Sequence, residues 1–160
     1  MKKNLGYQVC YVIAGLSALG GTAEAAGIAT VTDVVNEGYR TPPGHEEQAA
    51  RRADELVQNE ALRTDGESSI QVKFVDGSEL SVEAESEAVL SDYLFDPKAA
   101  SASGIINLNS GVFHFNSNDI PDSGLVLKTP VATIGIRGRL YGVMDVVDRA
   151  HPVPDAKGSP

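Results

Sequence analysis

Leu125-Val-Leu-Lys-Thr-Pro-Val-Ala-Thr-Ile-Gly-Ile-Arg-Gly138, continued by Arg139-Leu-Tyr-Gly-Val-Met-Asp-Val-Val147, decides the fold class of this 160-residue chain. β-branched residues dominate it, Thr129-Pro130 interrupts the first apolar run, and a turn falls at Arg137-Gly138. It reads as strand, break, strand, turn, strand.

Upstream the same period of two recurs. Ile70, Val72 and Phe74 alternate with polar residues, Asp76-Gly77-Ser78 turns the chain, and Leu80, Val82 and Ala84 alternate with Glu79, Ser81, Glu83 and Glu85. Parity then limits the turn. A two-residue Asp-Gly hairpin would pair Phe74 with Glu79 and put the two apolar sets on opposite faces. A three-residue loop over residues 76–78 would align Phe74 with Leu80 and Val72 with Val82; otherwise the two strands face each other from different sheets. Ser110-Gly111 is expected to make a two-residue hairpin opposing Leu108 to Phe113 and Ile106 to Phe115, with Asn107, Asn109, His114 and Asn116 facing out. Residues 28–35 and 89–95 are further strand candidates.

One segment differs. Residues 45–58 are rich in Glu, Ala, Arg and Leu without internal Gly or Pro, and Ala49, Ala53, Leu56 and Val57 share a helical face. Glu47 and Arg51 add a favourable i,i+4 pair. The expected fold is therefore all-β, a small antiparallel β-sandwich or β-roll with one short inserted α-helix at about residues 45–58.

The N-terminus reads as an export signal. Lys2 and Lys3 precede an apolar stretch over residues 5–21, and Ala23-Glu24-Ala25 has the small-x-small form of a cleavage site. Its strongest apolar run, residues 9–19, is about half the length of a membrane-spanning helix. The expected organisation is a signal peptide over 1–25, one β domain over 26–148 and a flexible Pro-rich tail over 149–160. No membrane span is expected after cleavage, and the expected location is periplasmic or secreted. Cleavage would remove Cys10, the only cysteine, so stability must come from packing and not from disulfides. It would also leave 11 Lys plus Arg against 21 Asp plus Glu, a formal charge of −10. Such a balance argues against nucleic acid as a partner, because phosphate binding needs clustered cations.

Chemistry-bearing patterns are sparse. His45, His114 and His151 lack metal-site spacing, and Glu79, Glu83, Glu85 and Glu87 lie on the outward face of a strand pattern, where charge usually serves solubility. No Gly-x-Ser-x-Gly elbow is present, and Gly135-Ile-Arg-Gly138 precedes a strand pattern, so it lacks the helix N-terminus that binds phosphate. Arg137 and Arg139 stand out in an apolar region; Arg137 is expected to pair internally with a carboxylate, with capture of a ligand or partner carboxylate as the other reading. No cofactor and no catalytic or metal residue is read from the sequence.

Residues 127–138, Leu-Lys-Thr-Pro-Val-Ala-Thr-Ile-Gly-Ile-Arg-Gly, closely resemble the TPxATxGIRGT signature of FecR domains, named for the periplasmic sensor of iron dicitrate uptake. Asn59-Glu-Ala-Leu-Arg-Thr64, the pattern around Asp76-Gly77-Ser78 and the Ser110-Gly111 region are similar to upstream blocks of that family, in the same order, so the resemblance covers residues 53–147. The family signature falls on Thr129, Pro130, Ala132, Gly135, Ile136, Arg137 and Gly138, and its turn motif on Asp76, Gly77 and Ser78. Arg139 stands where the signature ends in Thr. Sensor members also carry a cytoplasmic anti-sigma segment and a membrane helix, neither of which is read here. The resemblance implies a non-enzymatic, exported binding or scaffolding module of the bacterial envelope whose partner is another envelope protein or an extracellular ligand. The alternative is a secreted hydrolase or carbohydrate-active enzyme using clustered carboxylates.

Overall fold

A computed structural model of the chain describes residues 26–118 and 122–147; the expected signal peptide and the Pro-rich tail lie outside them. The described residues form twelve strands and no helix: β1 (Ala29–Val35), β2 (Gly38–Thr41), β3 (Gln48–Ala49), β4 (Glu55–Leu56), β5 (Glu60–Thr64), β6 (Ser69–Phe74), β7 (Glu79–Val82), β8 (Glu87–Asp96), β9 (Ser101–Asn116), β10 (Asp122–Lys128), β11 (Thr133–Ile136) and β12 (Tyr141–Val146). The all-β class is as expected. No helix among these residues is long and apolar enough to cross a membrane.

β9 organises the sheet. Its N-terminal half pairs with β8 and β10, and its C-terminal half pairs with β7 and β12. One half-sheet therefore runs β3-β2-β5-β8-β9-β10-β11 and the other β4-β1-β6-β7-β9-β12. Only the β9–β10 pair is parallel, with Asp122 opposite Ser101. Six residue steps from Asn116 to Asp122 span at most about 21 Å, whereas fifteen steps of straight strand would span about 50 Å, so β9 must fold back on itself. The corner is at Gly111, which has a φ of 102° and would place a Cβ 2.0 Å from Ser86 Oγ. Any side chain there would collide with β8's entry.

That corner replaces the expected Ser110-Gly111 hairpin, which the structure does not contain. Leu108 and Phe113 are five residues apart, an odd spacing that a straight strand would send to opposite faces. Both are nevertheless fully buried. A tight hairpin and a corner both invert parity, so the pattern fits either; here Leu108 pairs with Ala88, and Phe113 with Val82.

The two half-sheets face each other across one core. Phe74 of β6 stacks on Tyr93 of β8 with ring centroids 4.6 Å apart, and Leu62, Ile70, Leu80, Leu90, Phe113 and Phe115 fill the interior around them. The β6–β7 turn keeps the expected parity with a different register. Val72 opposes Leu80, Ile70 opposes Val82, and Phe74 N–H donates to the Ser78 carbonyl at 2.8 Å. The loop is thus residues 75–77, one earlier than expected, because Gly77 at φ 88° supplies the left-handed residue that a three-residue hairpin needs.

Residues 45–58 form no helix, which corrects the sequence expectation. Their backbone groups serve the sheet: Ala50 N–H donates to the Gly38 carbonyl, Ala53 N–H to Val31, and Val31 N–H to Asp54, while Ala53 sits at φ 72°. β3 and β4 are the outcome, one closing the β2 edge and the other the β1 edge. A helix of this length is marginal in water, so ladder bonds and the burial of Ala50 and Leu56 decide the conformation.

Arg40 holds this segment in place. Its Nε donates to Glu60 Oε1 at 2.5 Å, a second nitrogen donates to the Glu55 carbonyl at 2.8 Å, and Asp54 lies 3.5 Å away. Glu60 is completely buried, and its other oxygen accepts Val57 N–H at 2.9 Å.

Candidate functional site

The signature residues fall together at the end of the sheet opposite β3 and β4. Lys128 opposes Thr133, leaving residues 129–132 as the β10–β11 loop. Thr129 closes it: its N–H donates to the Ala132 carbonyl at 2.9 Å, and its Oγ1 accepts Ala132 N–H at 2.9 Å and Val131 N–H at 3.3 Å. Pro130, whose fixed φ suits a tight loop, projects Val131 into solvent. Thr129, Pro130 and Ala132 thus shape a presented loop.

Beyond the loop, Ile136 is buried opposite Leu125, whereas Gly135 has open space around it. Gly138 turns the chain into β12, and Ser117 clamps the turn: its Oγ donates to the Gly138 carbonyl at 3.0 Å and accepts Leu140 N–H at 2.6 Å, while its own N–H reaches the Leu140 carbonyl at 2.8 Å. Arg137 and Arg139 flank this turn and are both exposed. Among the described residues no carboxylate pairs with Arg137, which corrects the expected internal ion pair. The buried arginine–carboxylate pair is Arg40 with Glu60, at the other end of the sheet.

The Asp76-Gly77-Ser78 motif lies deeper. Both Asp76 carboxylate oxygens are used within the turn, accepting Ser78 N–H at 2.8 Å and Ser78 Oγ–H at 2.7 Å. Asn118, at the exit of β9, donates its backbone N–H to Ser78 Oγ at 3.0 Å and its side-chain amide to the Asp76 carbonyl at 2.8 Å. The motif therefore ties the β6–β7 turn to the end of β9. Tyr93 approaches from the facing half-sheet with its hydroxyl buried and without a hydrogen-bond partner. Burial, followed by the nearby Asp76 carboxylate, pushes its phenol far above the usual tyrosine range.

Two concavities lie on this part of the molecule, and the second of them is lined by signature residues. One, of about 440 Å³, crosses the outer face of the β6-β7-β9 half and is lined by Gln71, Lys73, Ser81, His114, Asn116 and Tyr141. Its ionisable side chains are tied to carboxylates: Lys73 lies 3.5 Å from Glu79, and His114 lies 3.8 Å from Glu83, which also accepts Ser81 Oγ–H at 2.6 Å. The second, of about 320 Å³, is largely apolar and separates β11 from β12; Val131, Ala132, Ile134, Met144 and Val147 line it.

The clustered glutamates do not converge. Glu79 meets Lys73, Glu83 meets His114, and Glu87 accepts from the Asn109 amide at 3.0 Å. Among the described residues no group of three or more His, Cys, Asp or Glu is placed to hold a metal ion. Sequence reading missed Arg40, Glu60, Ser86 and Ser117. Only Glu60 left a trace, since it shares the period of the buried Leu62 and Thr64.

No curated protein matches the chain. One solved structure, described as a cell surface anchoring domain, is similar to 39% of this chain and 83% of its own, at 21% identity and a TM-score of 0.38. The family described as FecR protein matches residues 60–151, from the first strand after the Arg40-bound segment to beyond β12. That span takes in the Asp76-Gly77-Ser78 turn, the whole of β9 and every residue of the Thr129 to Gly138 signature, and the chain belongs to the FecR protein family.

Proposed function

We propose that this chain is an exported, non-enzymatic binding or scaffolding module of the bacterial envelope, periplasmic or secreted after cleavage of residues 1–25. Residues 26–148 form its β domain, and 149–160 its Pro-rich tail. The observation that carries this reading is the construction of the signature itself. Thr129, Asp76, Ser78 and Ser117 spend their polar atoms on holding turns, and the turns hold Val131, Arg137 and Arg139 out into solvent. Residues fixed in this way present a surface, their own polar atoms being held within the turns. The partner is another envelope protein or an extracellular ligand, as in the periplasmic sensing part of iron dicitrate-type regulators.

The test is affinity capture from a bacterial envelope extract with the full chain as bait, followed by titration of the captured species. A saturable partner is expected. Turnover of a glycan or ester substrate that disappears on replacing Glu79 or Glu83 would overturn the reading in favour of a secreted hydrolase.

A further inference from the structure

The sheet treats its ends unequally. At one end the edges of β2 and β1 are closed by β3 and β4, two residues each, in a segment carrying Glu46, Glu47, Arg51 and Arg52. Short, charged edge strands are how sheets prevent further pairing. At the other end β11, among the described residues, pairs only with β10, and β12 only with β9. β11 is Thr-Ile-Gly-Ile, with no charge, no proline and open space around Gly135.

Register gives the direction of its free groups. The Thr129–Ala132 hydrogen bond makes that pair a bonded one, so bonded pairs recur at Leu127–Ile134 and Leu125–Ile136. The N–H and C=O groups of Thr133 and Gly135 therefore point away from β10. Ile134 lies on the same face as the buried Ile136, Leu125 and Leu127, yet remains 37% exposed because, among the described residues, nothing covers it from the β12 side. Of the eight large hydrophobic residues exposed among the described ones, Val131, Ile134 and Val147 line this seam, whereas Tyr141 lines the concavity on the outer face. The core is open along this seam.

We infer that the β11 edge takes up an extended strand of a partner protein, apolar on the face beside Ile134 and acidic on the other, which closes the seam between β11 and β12. Charge selects this occupant. From Leu125 to Tyr141 the chain carries Lys128, Arg137 and Arg139 and no carboxylate, within a molecule of formal charge −9. A strand added beside β11 sets its outward residues next to Arg137, which has no carboxylate partner of its own among the described residues. A second copy fits poorly: its edge offers the same cations, and two acidic molecules repel. Ladder hydrogen bonds supply affinity in strand addition, and alternate side chains supply selectivity. The inference rests on the binding-module reading and names the surface and partner chemistry for it.

The test uses the full chain, isotope-labelled, and a peptide of about nine residues alternating valine and glutamate, long enough for one strand. The expected result is amide shifts and slowed hydrogen exchange at Thr133 and Gly135, absent in Gly135→Pro, which removes an N–H that points away from β10, and about fivefold to tenfold weaker binding in Arg137→Glu. Arg137→Glu lies on the surface and keeps the test valid should the proline variant fail to fold. Equal binding of a control peptide alternating valine and lysine, a silent β11 edge, or pairing of two copies through β11 would each overturn the inference. Peptide shifts confined to another face would do so while leaving the binding-module reading intact; envelope capture that yields no partner beside normal edge binding would overturn that reading alone.

Discussion

Replacing Arg40 by alanine is the sharpest perturbation of the fold. Glu60 is completely buried, and Arg40 is the only cation within ion-pair distance of it among the described residues. Truncation would leave a carboxylate inside the core with the Val57 N–H as its remaining donor, and would also free the Glu55 carbonyl. Breaking one side of a buried pair costs about 3–5 kcal/mol, because the surviving charge has lost its solvent without regaining a partner. For a domain of this size 1 kcal/mol corresponds to roughly 3–6 °C, so Tm should fall by about 9–30 °C. The loss should concentrate where Arg40 acts, loosening the β3 and β4 segment first. Thermal unfolding by circular dichroism, beside Arg137→Ala, is the assay. Arg137→Ala should shift stability by less than about 0.5 kcal/mol, as an exposed residue does. The double replacement Arg40→Met with Glu60→Leu should recover most of the loss, since apolar residues of similar volume need no partner there. An Arg40→Ala change below about 1 kcal/mol, or an equal loss in Arg137→Ala, would refute the reasoning.

Other outcomes follow from single sites. Gly111→Ala should cost at least about 3 kcal/mol or prevent folding, because its Cβ would meet Ser86 Oγ at 2.0 Å and the φ of 102° disfavours any side chain; near-wild-type urea unfolding would contradict the corner. Tyr93→Phe should be neutral or stabilising by up to about 1 kcal/mol in the same assay, since it deletes a buried hydroxyl that lacks a hydrogen bond while keeping the stack on Phe74. Ser117→Ala should cost about 1–3 kcal/mol and speed amide exchange at Leu140, whose N–H would be left without its acceptor.

What the sequence made legible was set by how local each signal is. The strand, break, strand, turn, strand order over residues 125–147 is present as β10, β11 and β12, because β-branched runs broken by Thr-Pro and Gly carry their own punctuation. The parity of β6 and β7 was legible, and their exact register was not, since moving the loop by one residue changes the register without changing which residues share a face. Residues 45–58 were misread because helix propensity, a few tenths of a kcal/mol per residue, competes with sheet edges that only the folded chain provides. The corner in β9 mimicked a hairpin because both invert the alternation at Ser110-Gly111. The arginine question turned on distance in sequence: Arg40 and Glu60 are twenty residues apart, and nothing local marks them as partners. The Thr129 to Gly138 signature was legible as a family mark. Its physical role, holding a loop and an open strand edge in place, required the pairing of β11 and the clamp from Ser117.

The most direct measurement is site-specific photocrosslinking in the envelope of cells producing the full chain. One crosslinker replaces Val131, 71% exposed beside the open β11 edge, and another replaces Arg52, exposed at the closed end. A discrete adduct with a protein partner from position 131 and none from position 52 is the expected result. Adducts from position 52 alone, or none from position 131 in cells that hold the partner captured by affinity, would contradict a binding module that works through its open edge.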